Sequence, residues 1–155
     1  MLTLARELYG LGARRIGVLS LPPVGCLPSQ RTLHGGPKRG CFNSANEAAV
    51  LFNSKLYEID SLGKELPGAR LVYTDIYYPL LAIIQGPAQF GFEVSMKGCC
   101  GTGNIEVSYL CSHLDHPVMC DDDTKYVFWD SFHPTEATYR MLTDQIYSKY
   151  ARELF

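Results

Sequence analysis

The spacing of apolar residues changes several times along the chain, and each change predicts an element. Leu2-Thr3-Leu4-Ala5-Arg6-Glu7-Leu8-Tyr9 is apolar at helical spacing and runs into Gly10 and Gly12, which predicts a short helix with a glycine stop. Arg15-Ile16-Gly17-Val18-Leu19-Ser20-Leu21 is a mostly apolar run of strand length ended by Pro22-Pro23. Such an unbroken run predicts a strand buried on both faces, as in a parallel sheet. Residues 22–40 are rich in proline and glycine and lack a period, so a long irregular loop is expected. From Asn43 or Ser44, either a fit helix cap, Ala48, Ala49, Leu51, Phe52, Leu56, Ile59 and Leu62 follow the helical period up to Pro67-Gly68.

Ala69-Arg70-Leu71-Val72-Tyr73-Thr74-Asp75 reads as a second strand, with Asp75 placed to cap a helix carrying Tyr78, Leu80, Leu81 and Ile84. Gly86-Pro87 ends that helix, and residues 87–125 read as a long loop in which Val94 and its neighbours are a candidate short strand. Tyr126-Val127-Phe128-Trp129 is a last strand delivering Asp130. Pro134 suits the first turn of a final helix carrying Tyr139, Met141, Leu142, Ile146, Tyr147 and Tyr150. Strands alternating with helices predict an α/β layer fold with a parallel sheet.

Length and charge narrow the classes. The 155 residues suit one domain. A net charge of −2 with scattered basic residues gives no electrostatic case for nucleic acid or an anionic membrane surface. No apolar run is long enough for a membrane span. The first residues have no basic region and only a short apolar stretch, so they do not read as a signal peptide.

The six cysteines, at 26, 41, 99, 100, 111 and 120, pull the other way. An even count in loop-like, glycine-rich surroundings predicts disulfides and an oxidising compartment; reduced, partly buried thiols are the alternative. A zinc reading would draw on Cys99, Cys100, Cys111, His113, His116 and Cys120. Adjacent cysteines and an H-x-x-H without helical support fit structural zinc spacing poorly, so disulfides are favoured and His113 and His116 are expected to be solvated. Asp121-Asp122-Asp123 reads as a solvated turn.

The strongest chemistry lies in Asp130-Ser131-Phe132-His133. Three residues of tight turn between a strand and a helix let a carboxylate fold back onto an imidazole Nδ1–H. That contact fixes the tautomer and leaves Nε2 to accept a proton. The plainer alternative makes Asp130 a helix cap and His133 an exposed helix-start residue.

The neighbours of this turn decide between the two. Trp129-Asp130-Ser131-Phe132-His133-Pro134-Thr135-Glu136 resembles the last block of the GDSL esterase/lipase family of the SGNH hydrolase superfamily. Leu21-Pro22-Pro23-Val24-Gly25-Cys26-Leu27-Pro28, Phe52-Asn53-Ser54-Lys55-Leu56 and Gly98-Cys99-Cys100-Gly101-Thr102-Gly103 are similar to segments of its plant branch, in the right order. The resemblance implies an SGNH-hydrolase (flavodoxin-like) three-layer α/β fold and hydrolysis of small-molecule or lipid esters without cofactor or metal. It implies that Asp130 orients His133 and that His133 is the base activating a serine. It also favours disulfides without deciding their pairing; Cys26 with Cys41, inside one loop, is the first expectation.

Two family blocks are missing. No Gly-Asp-Ser occurs anywhere in the 155 residues, and neither does a Gly-x-Asn-Asp. The resemblance therefore implies that residues 1–155 are the C-terminal part of a single domain, from a secreted parent whose leader and serine lie in the absent half. A chain of this kind is expected to lack turnover on its own, as a remnant or interaction module, and to fold marginally. Ser20 and Ser131 are the candidate substitute nucleophiles, though Leu19-Ser20-Leu21-Pro22 lacks the glycines of a nucleophile elbow. Tyr77, Tyr78, Phe90 and Phe92 are expected to pack in the core, with an acyl-binding groove as the alternative.

Overall fold

The computed structural model describes residues 1–111 and 118–154. Helix α1 (Leu2–Gly10) leads into strand β1 (Arg15–Leu19), and helices α2 (Pro28–His34), α3 (Asn43–Leu56) and α4 (Ile59–Glu65) precede strand β2 (Arg70–Thr74). Helix α5 (Tyr77–Gln85), strand β3 (Val94–Gly98), strand β4 (Tyr126–Phe128) and helix α6 (Glu136–Leu154) complete the order.

Both strand pairings are parallel. β1 lies beside β2 in a register from Arg15↔Arg70 to Leu19↔Thr74. β3 lies beside β4, with Val94 opposite Tyr126 and Gly98 opposite Phe128 and a register shift between them. Beyond β3 the ladder continues in loop residues, where Cys99 N–H donates to Phe128 O at 3.0 Å and Cys100 N–H donates to Trp129 O at 2.8 Å.

Two apolar clusters hold these layers together. Ala5, Val18, Leu56, Ile59, Leu62, Leu66 and Leu71 join α1, α3 and α4 to the first strand pair. Cys26, Leu27, Leu80, Ile83, Ile84, Phe92, Val127, Phe128 and Leu142 join α5 and α6 to the second pair and to the loop after β1. Each fully buried aliphatic side chain contributes about 1.5–3 kcal/mol relative to exposure. Phe90 and Phe92 thus pack in or against the core, as does Tyr77, while Tyr78 is exposed.

Four expectations need correction. The loop after β1 contains α2, which starts with Pro28 at its first turn and buries Arg31 rather than a leucine stripe. The single helix expected over residues 43–66 is two, because Tyr57 and Glu58 adopt tight turn values with ψ of −21° and −12°. Neither Asn43 nor Ser44 caps α3; the cap position is Phe42, without a side-chain bond. β1 is not buried on both faces, since Val18 is buried while Leu19 is 57% exposed, and among the described strands it pairs only with β2.

All six cysteines are paired, as Cys26–Cys41, Cys99–Cys120 and Cys100–Cys111. The adjacent cysteines therefore tie two different points of the 99–120 loop rather than each other. This uses up the thiolates that the zinc reading needed, and His113 and His116 lie outside the described residues.

Candidate active site

β4 carries the chain into the Asp130–His133 turn, and the turn is fastened on every side. Thr135, fully buried, donates its hydroxyl to Tyr126 O at 2.8 Å, and its N–H donates to Val127 O at 3.0 Å. Thr138 donates its hydroxyl to Val127 O at 2.9 Å, and its own N–H reaches Thr135 Oγ1 at 3.3 Å. Thr135 is thus the side chain that caps α6, and Pro134 lies one residue ahead of it, just outside the helix. Trp129 N–H to His133 O, 2.8 Å, closes the turn.

Within the turn, Asp130 Oδ1 accepts the N–H groups of Phe132 at 2.7 Å and His133 at 2.6 Å. Its other oxygen, Oδ2, is 2.7 Å from His133 Nδ1. A carboxylate can only accept, so Nδ1 carries a proton, and in the neutral ring that leaves the lone pair on Nε2. Asp130 has 3% of its side-chain surface exposed and His133 has 59%: the anchor is inside and the ring outside. On the first turn of α6, burial and then the nearby Asp130 charge push the Tyr139 hydroxyl pKa up.

The platform beneath the turn is the Gly98–Gly103 segment. A Cβ on Gly98 would sit 2.5 Å from Asp130 O, so only glycine lets the two backbones approach this closely. Ser131 N–H donates to Glu106 O at 2.9 Å, and Ser29 N–H donates to Ser131 O at 3.1 Å. The Gly-Cys-Cys-Gly run and Thr135 lie in segments that carry the family resemblance, whereas Glu106 and Thr138 lie outside them. The spacing Thr135-x-x-Thr138 at a helix start was the available signal for the threonines.

Neither substitute serine has a geometry suited to attack. Ser20 Oγ accepts the N–H groups of Ile76 at 2.9 Å and Tyr77 at 3.2 Å, and together with Asp75 Oδ1 it caps α5. Ser131 is fully buried and its hydroxyl has no hydrogen-bond partner. The cavity of about 660 Å³ that Tyr77 and Tyr78 line is bordered by Tyr57, Tyr73, Asp75 and Lys149, and neither Asp130 nor His133 borders it. No helix among the described residues is long and apolar enough to cross a membrane, and no group of three or more His, Cys, Asp or Glu among them could hold a metal.

Fold and turn together define an α/β protein with an Asp–His pair at a strand-to-helix junction. The chain belongs to the GDSL-like lipase/acylhydrolase family, whose family model matches residues 2–146. Among its relatives in Arabidopsis thaliana, GDSL esterase/lipase EXL3 is 55% identical over 148 residues and GDSL esterase/lipase EXL2 is 51% identical over 147. These alignments cover 95% and 94% of this chain but 40% and 38% of the relatives, so the chain spans about two-fifths of their length. Family membership implies the SGNH-hydrolase fold, and the two parallel strand pairs with packed helices agree with it.

Proposed function

We propose that this chain supplies the base and its orienting carboxylate to a serine ester hydrolase. In this reading residues 1–155 are the C-terminal part of one three-layer SGNH domain. The observation that carries it is the 2.7 Å contact between His133 Nδ1 and a buried carboxylate that also takes two backbone N–H groups. Nε2 of His133 takes the proton from a serine hydroxyl as the serine attacks an ester carbonyl. It then returns that proton to the leaving alcohol, while Asp130 stabilises the imidazolium in between. In this reading the substrate is an acyl or acetyl ester, in keeping with the family's description as lipases and acylhydrolases. Three disulfides suit an extracellular setting.

The serine is the part this sequence does not contain. With no Gly-Asp-Ser in the 155 residues, and with Ser20 and Ser131 engaged or buried, the chain lacks the family's serine block and neither of these two serines replaces it. Alone it is an inactive module.

Replacing the matching segment of EXL3 with this chain tests both statements. The chimera is expected to hydrolyse a short p-nitrophenyl ester and to be labelled by a fluorophosphonate, and the isolated chain to do neither. His133→Ala in the chimera should lower kcat by about 10⁴-fold or more. A His133→Ala chimera within about tenfold of its parent would refute the base assignment.

A further inference from the structure

We propose that Glu106 is a positioning residue for the Asp130–His133 pair, acting through the loop it folds. This rests on the reading of that pair as orienter and base, and extends it to a residue 24 positions upstream of Asp130.

Glu106 acts on the turn in two ways. Its carboxylate collects donors from its own loop. Oε1 accepts Thr102 N–H at 3.0 Å, while Oε2 accepts the Thr102 hydroxyl at 2.9 Å, Ile105 N–H at 3.2 Å and Asn104 N–H at 3.3 Å. The side chain folds over Gly101, which has φ +64°, and a Cβ there would lie 2.7 Å from Glu106 Cγ and Cδ. The folded loop then returns Gly103 O to Gly98 N–H at 2.8 Å, setting the residue on which the Asp130 backbone lies. The main chain of Glu106 also touches the turn directly, since its carbonyl accepts Ser131 N–H at 2.9 Å. The carboxylate shapes the loop, and the loop holds the turn at Gly98 from one side and at Ser131 from the other.

The chemistry requires a carboxylate. Every group pointing at Glu106 is a donor, and only a side chain with two accepting oxygens satisfies them all. Glutamine keeps the size but turns an NH₂ toward one or more N–H or O–H groups. That removes acceptance from the loop without opening a cavity. The charge itself remains half-solvated and away from the imidazole contacts, so Glu106 is placed to act on geometry rather than on the reacting atoms.

NMR of the disulfide-intact chain tests this without requiring turnover. Wild type is expected to show an exchange-protected His133 Nδ1–H resonance that Asp130→Asn abolishes. Its absence in wild type would overturn the Asp130–His133 reading itself, before Glu106 enters. In Glu106→Gln that resonance is expected to be lost, and Ser131 N–H to exchange about tenfold faster or more, while amides in α3, α4 and β2 keep their protection. The proposal is overturned if both sites keep wild-type protection while Thr102, Asn104 and Ile105 lose theirs, because the loop would then move without moving the pair. Should Glu106→Gln fail to fold, Thr102→Val removes the hydroxyl donor alone. Exchange at His133 Nδ1–H and Ser131 N–H is then expected to rise together by about threefold or more, and unchanged exchange at both overturns the proposal.

Discussion

Asp130 holds His133 at two points: Oδ2 takes the ring at Nδ1, 2.7 Å away, and Oδ1 takes the backbone N–H of the same residue at 2.6 Å. One carboxylate therefore sets both where the histidine begins and which way its ring turns. The two jobs separate on substitution. Asparagine retains an oxygen for the N–H groups of Phe132 and His133 but presents an NH₂ to Nδ1, which forces the proton onto Nε2. Asp130→Asn should thus keep the thermal midpoint within a few degrees while lowering kcat of the EXL3 chimera by about 10⁴-fold. Asp130→Ala removes the acceptor of both part-buried N–H groups and leaves a gap where a buried carboxylate stood, and should destabilise the chain by about 1–3 kcal/mol in urea unfolding. Equal stability loss in both variants would contradict this division.

Asn53 is a second polar clamp. From α3 it donates Nδ2–H to Leu21 O at 2.9 Å and accepts Leu21 N–H on Oδ1 at 2.7 Å, fixing the chain where it leaves β1. It is buried, so Asn53→Leu is expected to cost about 1–3 kcal/mol for the two backbone groups left unpaired. Asn53→Asp should cost at least as much near neutral pH, because a carboxylate would then face Leu21 O. Chemical unfolding distinguishes these outcomes from a surface substitution, which would stay within about 0.5 kcal/mol.

These examples show which parts of the molecule can be read from the chain. Asp130 and His133 are three residues apart and interact across one turn, so their spacing carries the geometry. β2 and α5 were equally legible, because an apolar run followed by Asp75 is a strand feeding a capped helix. Glu106 was not, since its effect passes through contacts with Gly98, Gly101 and Ser131 that no local pattern announces. α2 stayed hidden for another reason: its buried face carries Pro28, Ser29 and Arg31 rather than aliphatic residues. Arg31 is held there by bonds to Cys26 O and Arg39 O, each at 2.9 Å. The exposure of Leu19 is not legible either, because an apolar strand reads the same whether or not both of its faces are covered.

The Cys26–Cys41 bridge closes a loop of sequence separation 15 and places Cys26 inside the α5–α6 cluster. On chain-entropy grounds its removal should cost about 3 kcal/mol. The Cys26→Ala/Cys41→Ala double variant is expected to show that loss in urea, with the Asp130–His133 turn intact because its anchors at Gly98, Glu106, Thr135 and Thr138 lie outside the bridged loop, which reaches the turn through Ser29 N–H. A loss of the His133 Nδ1–H resonance in this variant, with the chain still folded, would show that the turn depends on the first loop as well.

Glu106 also predicts a specific acid response. Burial pushes its carboxyl up, but hydrogen bonds from Thr102 N–H, from its own N–H, from the Thr102 hydroxyl and from Ile105 N–H outweigh it and hold the pKa at about 2, below the ordinary 4.5. The unfolded chain therefore binds this proton at higher pH than the folded one. Stability from the carboxylate is complete above about pH 4.5 and is lost as pH falls from there toward 2. The carboxylate remains partly exposed, so screening makes the loss smaller than the shift alone implies. Other acidic groups titrate in the same range, which makes the informative quantity the difference between wild type and Glu106→Gln. Urea midpoints measured at about pH 6, 4 and 2.5 should show the wild type ahead by a margin that narrows at each step. A margin that stays constant down to the lowest pH would mean that the ionised form of Glu106 is not what holds its loop together.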